Sequence, residues 1–463
     1  MDKTLVSKNR TRNLLFLALM IGTVVSALLQ TALTTALPKI IADFSISAQT
    51  GQWLTSAFSL AMGIMIPATT FLIKRIPTKW LFIGSMTLFG IGELLSATAT
   101  TFIILLIGRI LQAMGSGILL SLTQVVVLTI YPLEKQGTMM GIYGLAASAA
   151  PVVAPTVTGL IIDTFSWRFI FWAGLLLTVV DILFAFLAVK NVLPTEKTTL
   201  DVKSLLLSSI SFSGILVGFG NIGSGPLLSI QIGLPIIIGL LSGCLFAYRQ
   251  FHISEPLLNL KIFKNKQFTI AVIISILLYF AMMSGSTLFP LYIQSVHHLS
   301  ATTSGLIMLP ASLVMAILSP ITGRLYDKFG IRPLAILGSF AMLISCLTTI
   351  HLNVQTSILY LVLVWIIRLV SISCVMMPIV TWSVSTLDTK FTSHATALLT
   401  TLRTISGAIG TAVSVSIMQF VTNLTTHNGP VIANSSGINV TFIVLAVIAA
   451  IQLIVSLLWV KKN

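Results

Sequence analysis

Long apolar stretches, separated by short polar links, repeat along almost the whole chain. "FIILLIGRILQAMGSGILLSLTQVVVLTI" at 102–130 is representative. About 20 such residues wound as a helix cross the ~30 Å hydrocarbon core of a bilayer. Fourteen runs meet that length, at 14–36, 53–73, 80–98, 102–129, 138–162, 168–189, 204–222, 229–249, 268–291, 304–323, 333–351, 357–381, 395–421 and 438–460. The pattern predicts an all-α integral membrane protein with 14 transmembrane helices.

Charge gives the runs a direction. Nearly all of the 26 lysines and arginines fall on alternate links, including "KRIPTKW" after run two and "GRLYDKFGIRP" after run ten. Only Lys39 and Arg168 fall on the opposite set, while Arg109, Arg368 and Arg403 lie inside runs. Basic links stay in the cytoplasm, so both termini are expected there, which an even number of spans permits. The formal charge of +15 therefore marks the cytoplasmic face, near anionic lipid, and no nucleic-acid partner is expected. Composition agrees: 56% hydrophobic and 8% charged residues cannot cover a soluble surface, which needs about 25% charged. The first apolar run is too long for a cleavable signal peptide. Cys244, Cys346 and Cys374 lie in apolar runs and read as buried small hydrophobes. Trp53, Trp80, Trp167 and Trp459 sit near run ends, as an interfacial belt would place them.

The two halves echo each other. "IGRILQAMGSG" in run four carries Arg109, and "IIRLVSISCVMMP" in run twelve carries Arg368. A six-helix unit used twice fits this spacing: bundles over 1–190 and 267–463, with two extra helices in 191–266. Such repeats let two halves rock around a central site.

These motifs carry a family resemblance over nearly the whole chain. "QTALTTALPKI", "GRILQAMGSG", "APVVAPTVTGLIIDTFSWRFIF", "EPLLNLKIFKNKQF" and "GRLYDKFGIRP" together resemble the major facilitator superfamily. Within it the chain looks like the fourteen-helix drug:proton antiporters, of the type of lincomycin-resistance exporters in Gram-positive bacteria. The resemblance implies a major-facilitator-type fold with a cavity lined by runs 1, 2, 4, 5, 9, 10, 12 and 13, and with runs 7 and 8 peripheral. It also implies drug export driven by inward proton flow. Three departures stand out: Leu29 takes the place of a frequent acid, Lys74 takes the Asp place of the motif after run two, and Ala150–Pro151, Ala154–Pro155 and Thr158–Gly159 replace Gly-Pro and Gly pairs in run five.

Several residues then acquire candidate roles. Pro151 and Pro155 each remove a backbone donor and free a carbonyl four residues back. With Gly144 and Gly159 they form a small-residue face suited to a close partner helix, expected from the other half, in run ten. Charges inside hydrocarbon cost ~2.5–3.5 kcal/mol each on insertion scales, so each needs a reason. Glu93 and Arg109 face each other across a short hairpin at similar depth, and an ion pair tuning a proton switch is expected. Asp163, at the outer end of run five, is a second coupling candidate with Arg109 or Arg168 as partner. Asp181 in run six is a third. Arg368 and Arg403 could each bind an acidic substrate, hold the halves by hydrogen bonds to carbonyls, or depress a nearby acid's pKa; anchoring is the expectation for Arg403. Gln30, Gln112, Gln124, Met376 and Met377 are expected to line the cavity. Gly323, Asp327 and Gly330 suit a cytoplasmic latch, with Asp327 receiving an arginine or a helix N-terminus.

No phosphate-binding Gly-Lys-Ser loop, His-Glu-x-x-His or Cys/His cluster is present, so no cofactor or metal is expected and a proton gradient supplies the energy. The expected protein is a monomer of a bacterial cell membrane that exports small hydrophobic or amphipathic compounds. A lipid or metabolite transporter of the same fold is the alternative. A polytopic membrane enzyme is the rival class, though no polar catalytic cluster gathers at one face. With no fixed acid in the cavity runs one and two, neutral or amphipathic compounds should be exported in preference to dications. Transport assays giving strong dication export and none of neutral compounds would reverse this.

Overall fold

The computed structural model describes residues 9–460 apart from 47, 197–200, 222–228, 254–255, 300, 389–390 and 426–428; the side chains at 9, 34, 35, 38, 48, 49, 52, 148–153, 155, 156, 159, 160, 163, 220, 301, 302 and 430 are also outside the description. Among the described residues fourteen α-helices follow one another without a strand: α1 Asn9–Phe44, α2 Ala48–Arg75, α3 Thr78–Ala97, α4 Phe102–Ile130, α5 Leu133–Thr164, α6 Arg168–Ala188, α7 Val202–Gly220, α8 Ile230–His252, α9 Lys266–Ser295, α10 Ala301–Phe329, α11 Ile331–Thr348, α12 Ile358–Val384, α13 Thr392–Leu424 and α14 Pro430–Trp459. A short 3-10 helix, Leu260–Lys264, precedes α9. Each apolar run of the sequence corresponds to one helix. Thirteen of the helices are long and apolar enough over described residues to cross a membrane. The remaining one, α5, includes much of the group with undescribed side chains.

Several helices outrun their apolar cores. α1 continues to Phe44 because its polar end finds partners: Lys39 Nζ donates to the Ile162 carbonyl at 2.8 Å. One turn on, Asp43 accepts from Trp167 Nε1 at 2.7 Å and from Arg168 at 3.2 Å. Boundaries elsewhere follow local chemistry. Thr101 and Ser357 cap α4 and α12 by accepting from Ile104 and Tyr360, and Pro77 and Pro132 sit just ahead of α3 and α5. Gly330 turns the chain between α10 and α11 at φ +73°, a region that favours glycine.

The helix contacts repeat across the two halves. Within the first, α3 packs on α4, α2 on α4, α1 on α5, and α6 on α1 and α3. Within the second, α11 packs on α12, α10 on α12, α9 on α13, and α14 on α9 and α11. The arginines obey the same symmetry. Arg109 of α4 reaches the Leu29 carbonyl of α1 at 3.3 Å, and Arg368 of α12 reaches the Ala281 carbonyl of α9.

Two seams join the halves, and they differ. Along one, α5 lies on α10. Gly137 and Gly323 meet backbone to backbone there, and Gly141 meets Ser319 and Pro320, so any Cβ at these glycines would collide. Along the other, α2 meets α13, and the α7–α8 hairpin leans on it, with α7 touching both helices. The Phe212 ring of α7 fills the space that a side chain on Gly63 of α2 would need. The hairpin is thus part of the wall and not merely peripheral, a correction to the expectation for runs seven and eight.

Two smaller expectations also change. Trp53, Trp80 and Trp459 are exposed as a belt requires, but Trp167 is buried because Asp43 takes its N–H. Cys346 and Cys374 are buried, whereas Cys244 is exposed on α8, a helix with few buried side chains.

The α7–α8 hairpin is clamped at its base. Asp201 caps α7 and accepts from Nε and Nη2 of Arg249 in α8, both at 2.9 Å. These Arg249 hydrogen bonds hold the Asp201 carboxyl down at about 2, below the ordinary value of about 4. A depressed folded value means the clamp contributes fully above pH ~4 and is lost as pH falls through about 2. Arg249→Leu should therefore lower the unfolding midpoint of the purified protein at pH 6, read by scanning fluorimetry. The gap between variant and parent should close as pH falls from 4 toward 2. A gap still undiminished at the acid end would show that the ion pair is not its source.

Candidate functional site

A cavity of about 580 Å³ lies between the halves. α1 contributes Thr23, Ser26, Ala27 and Gln30, and α2 contributes Ser59 and Met62. From the second half come Tyr279, Met282 and Met283 of α9, Met308 and Met315 of α10, Trp365, Met376 and Met377 of α12, and Thr400, Arg403 and Thr404 of α13. Leu216 of α7 joins them. The wall is mostly apolar, with hydroxyls spaced between thioethers and rings. Methionine, unbranched and polarizable, lets such a wall adapt to varied apolar shapes.

Gln30, Met376 and Met377 line this cavity as expected from sequence. Gln112, Gln124 and Arg368 are not among its lining residues. Gln112 is wholly buried because it accepts from Arg109 at 2.6 Å and donates to Ser96 at 3.2 Å. Gln124 stands behind the wall and donates to the Tyr143 hydroxyl at 3.3 Å. Arg368 is buried between α9 and α12, donating to Ala281 and to Cys346 Sγ at 3.6 Å. Arg403 reverses its expected role as an anchor. It lines the cavity, makes no side-chain hydrogen bond among the described residues, and lies with Cζ 5.0 Å from the Tyr279 ring centre. A periodic sign of this surface was legible: Thr400, Arg403, Thr404, Gly407, Ala408 and Thr411 recur at helical spacing along α13.

The expected Glu93–Arg109 ion pair does not form. Arg109 turns toward α1 and α2 instead, bonding Leu29 and Gln112 and stacking over Phe58 at 4.3 Å. Glu93 turns toward α6, where its Oε1 would meet a Cβ on Gly174, as would Leu29 Cδ1 of α1. Glu93 is wholly buried, and neither carboxyl oxygen makes a hydrogen bond of ordinary geometry. Asp181 is equally buried and equally unpartnered. It lies opposite Gly22 of α1 and Met86 of α3. Gly22 to Leu29, Met86 to Glu93 and Gly174 to Asp181 are each two helical turns, about 10 Å. The α1–α3–α6 interface thus holds two carboxyls at two levels, off the cavity. The acid absent at Leu29 has a carboxyl beside its place, delivered from α3.

The Asp163 side chain lies outside the described residues, as do those of Pro151, Pro155 and Gly159. Arg168, its suggested partner, pairs with Asp43 and donates to the Ala99 carbonyl at 3.0 Å. Gly144 of α5 abuts Met377 of α12 from the other half.

The latch residues come together at the basic face. Asp327 of α10 accepts from the Gly137 and Thr138 backbone N–H groups of α5, each at 2.7 Å, and from the Thr138 hydroxyl. Gly323 allows the approach, since its Cβ would strike the Gly137 carbonyl. A carboxylate near the start of a helix also suits the helix dipole.

Two repeated six-helix halves around a central cavity, joined at the basic face by Asp327, have the plan of a membrane transporter. The family model described as Major Facilitator Superfamily matches residues 19–411, and the chain belongs to that family. It is 37% identical to the MFS-type transporter YcnB of Bacillus subtilis, over 98% of this chain and 97% of that one. It is 35% identical to the lincomycin resistance protein LmrB of Listeria innocua, over 84% of this chain and 83% of that one. Among solved structures, the human organic anion transporter MFSD10 superposes with a TM-score of 0.66 at 15% identity, covering 94% of this chain and 99% of that one. That likeness carries the fold alone. The protein is therefore a multi-pass transporter of the cell membrane and not an enzyme, which removes the rival class.

Hydrogen bonds to a charged group contribute about 1.5–3 kcal/mol each, and Asp327 accepts three across the seam. Asp327→Ala should shift the population toward an open basic face by tenfold or more. A cysteine in place of Tyr326, a buried side chain of this seam that packs against Gly137, reports this through its rate of maleimide labelling from that face, with the exposed Cys244 changed to serine. Unchanged labelling with normal transport would show that Asp327 is no latch.

Proposed function

We propose that the protein exports hydrophobic and amphipathic drug-like compounds by alternating access, exchanging them for protons. The observation that carries this reading is the double duty of α1. One face of α1, with Thr23, Ser26 and Gln30, lines the cavity. Another, with Gly22 and Leu29, covers the buried carboxyls of Asp181 and Glu93. A substrate that displaces α1 therefore changes how Glu93 and Asp181 are covered. Burying an ionised carboxylate without a donor is costly, so groups in such a site gain or lose a proton when their cover moves. Glu93 and Asp181 then carry the proton, while Asp327 releases and remakes the seam at the basic face.

The cavity supports the substrate class. Its volume and its lining of thioethers and aromatic rings match drug-sized apolar ligands. The relative's name, lincomycin resistance protein, points the same way. No nucleotide or cofactor is required by this cycle; the proton gradient suffices, and one chain contains the whole cavity.

The test is substrate-triggered proton movement in proteoliposomes, followed with an entrapped pH dye. Glu93→Gln and Asp181→Asn should each cut the proton signal at least tenfold while substrate binding persists. Asp163→Asn completes the set. Full coupling in all three variants would overturn the assignment.

A further inference from the structure

Four of the chain's arginines, two buried and two partly exposed, each have a described polar partner. Arg109 is tied to Leu29 and Gln112, and Arg368 to Ala281 and Cys346. Arg168 and Arg249 have carboxylate partners. Arg403 breaks the pattern. It is only 3% exposed, yet it makes neither ion pair nor side-chain hydrogen bond among the described residues, and it faces the cavity. One turn before it, the Thr400 hydroxyl is 1% exposed and also unpartnered.

Nor is a counter-charge found in the cavity among the described residues: no acidic side chain is among those that line it. Glu93 and Asp181 face the α1–α3–α6 interface, Asp327 is taken by α5, and Asp43 and Asp201 by arginines. A guanidinium that faces the cavity, held only against the Tyr279 ring, keeps its hydrogen-bonding fork free for a ligand. Its planar fork matches a carboxylate better than any neutral group.

We propose that Arg403 makes the cavity selective for organic monocarboxylates: compounds with an apolar, ring-bearing body and one carboxylate. The carboxylate is held by Arg403, with Thr400 as an added donor. The body lies against Met282, Met376 and Trp365. One cation calls for one anionic group, and a substrate ammonium would meet only repulsion. This deepens the export reading by naming the substrate class of the same cavity, and it rests on that cavity being the substrate site.

The experiment uses three probes of one shape: 2-naphthoate, 2-naphthamide and 2-naphthylmethylammonium. Binding to the full-length protein in lipid nanodiscs is measured by equilibrium dialysis at pH 7 without a gradient, and uptake by empty nanodiscs is subtracted. The parent should bind naphthoate on the order of tenfold more tightly than naphthamide, since a charge-assisted bidentate pair replaces a neutral contact. The ammonium should bind least. Arg403→Gln should lower naphthoate affinity to that of naphthamide. Arg403→Lys should keep part of the preference. An unfolding midpoint equal to the parent's, read by scanning fluorimetry, shows that a variant has folded. If Arg403→Gln does not fold, the parent's ranking of the probes and the Arg403→Lys variant still decide. Equal affinities in the parent, or a preference that survives Arg403→Gln, would overturn the proposal. With no gradient present, loss of proton coupling leaves this result untouched. Failure here with intact coupling sinks the substrate class alone.

Discussion

A charge in hydrocarbon costs ~2.5–3.5 kcal/mol even on lenient scales, and that constraint shapes this protein at every level. It drives most lysines and arginines onto one set of links. It makes Arg109 and Arg368 into crossbars, each pulling the fourth helix of its half onto the backbone of the first. It also leaves Glu93, Asp181 and Arg403 conspicuous, because they lie within the spans with no ion pair among the described residues. The crossbars are structural, and the three exceptions are the groups to which we assign the proposed transport chemistry.

The two seams show how a repeat can diverge without losing its plan. The contact of α5 with α10 corresponds to that of α13 with α2. The first is closed by glycine backbones and by Asp327. At the Asp327-equivalent place of the second, Lys74 stands at the end of α2. A cation cannot accept the hydrogen bonds that Asp327 accepts, so this seam needs other means. It has them in the α7–α8 hairpin, whose first helix touches both α2 and α13.

Much of the fold was legible in the sequence because bilayer thickness and charge placement are one-dimensional properties. Run length yields helices, and the distribution of lysine and arginine sets an expected direction. The contact Asp327 makes with a neighbouring helix was legible too, since Gly323, Asp327 and Gly330 are chemically distinctive. What failed was pairing at fixed depth. Glu93 and Arg109 share a level, but depth does not say toward which neighbour a helix face points. Glu93 faces α6 and Arg109 faces α1. The same blindness put Gln112, Gln124 and Arg368 in the cavity wall, when each is occupied one layer behind it. For Arg403 the sequence offered no sign that it would face the cavity with no described acid beside it.

The Phe212 ring set against Gly63 has a wider meaning. With that ring seated on α2, and Leu216 of the same helix in the chamber wall, the first inserted helix closes the flank where α2 and α13 meet.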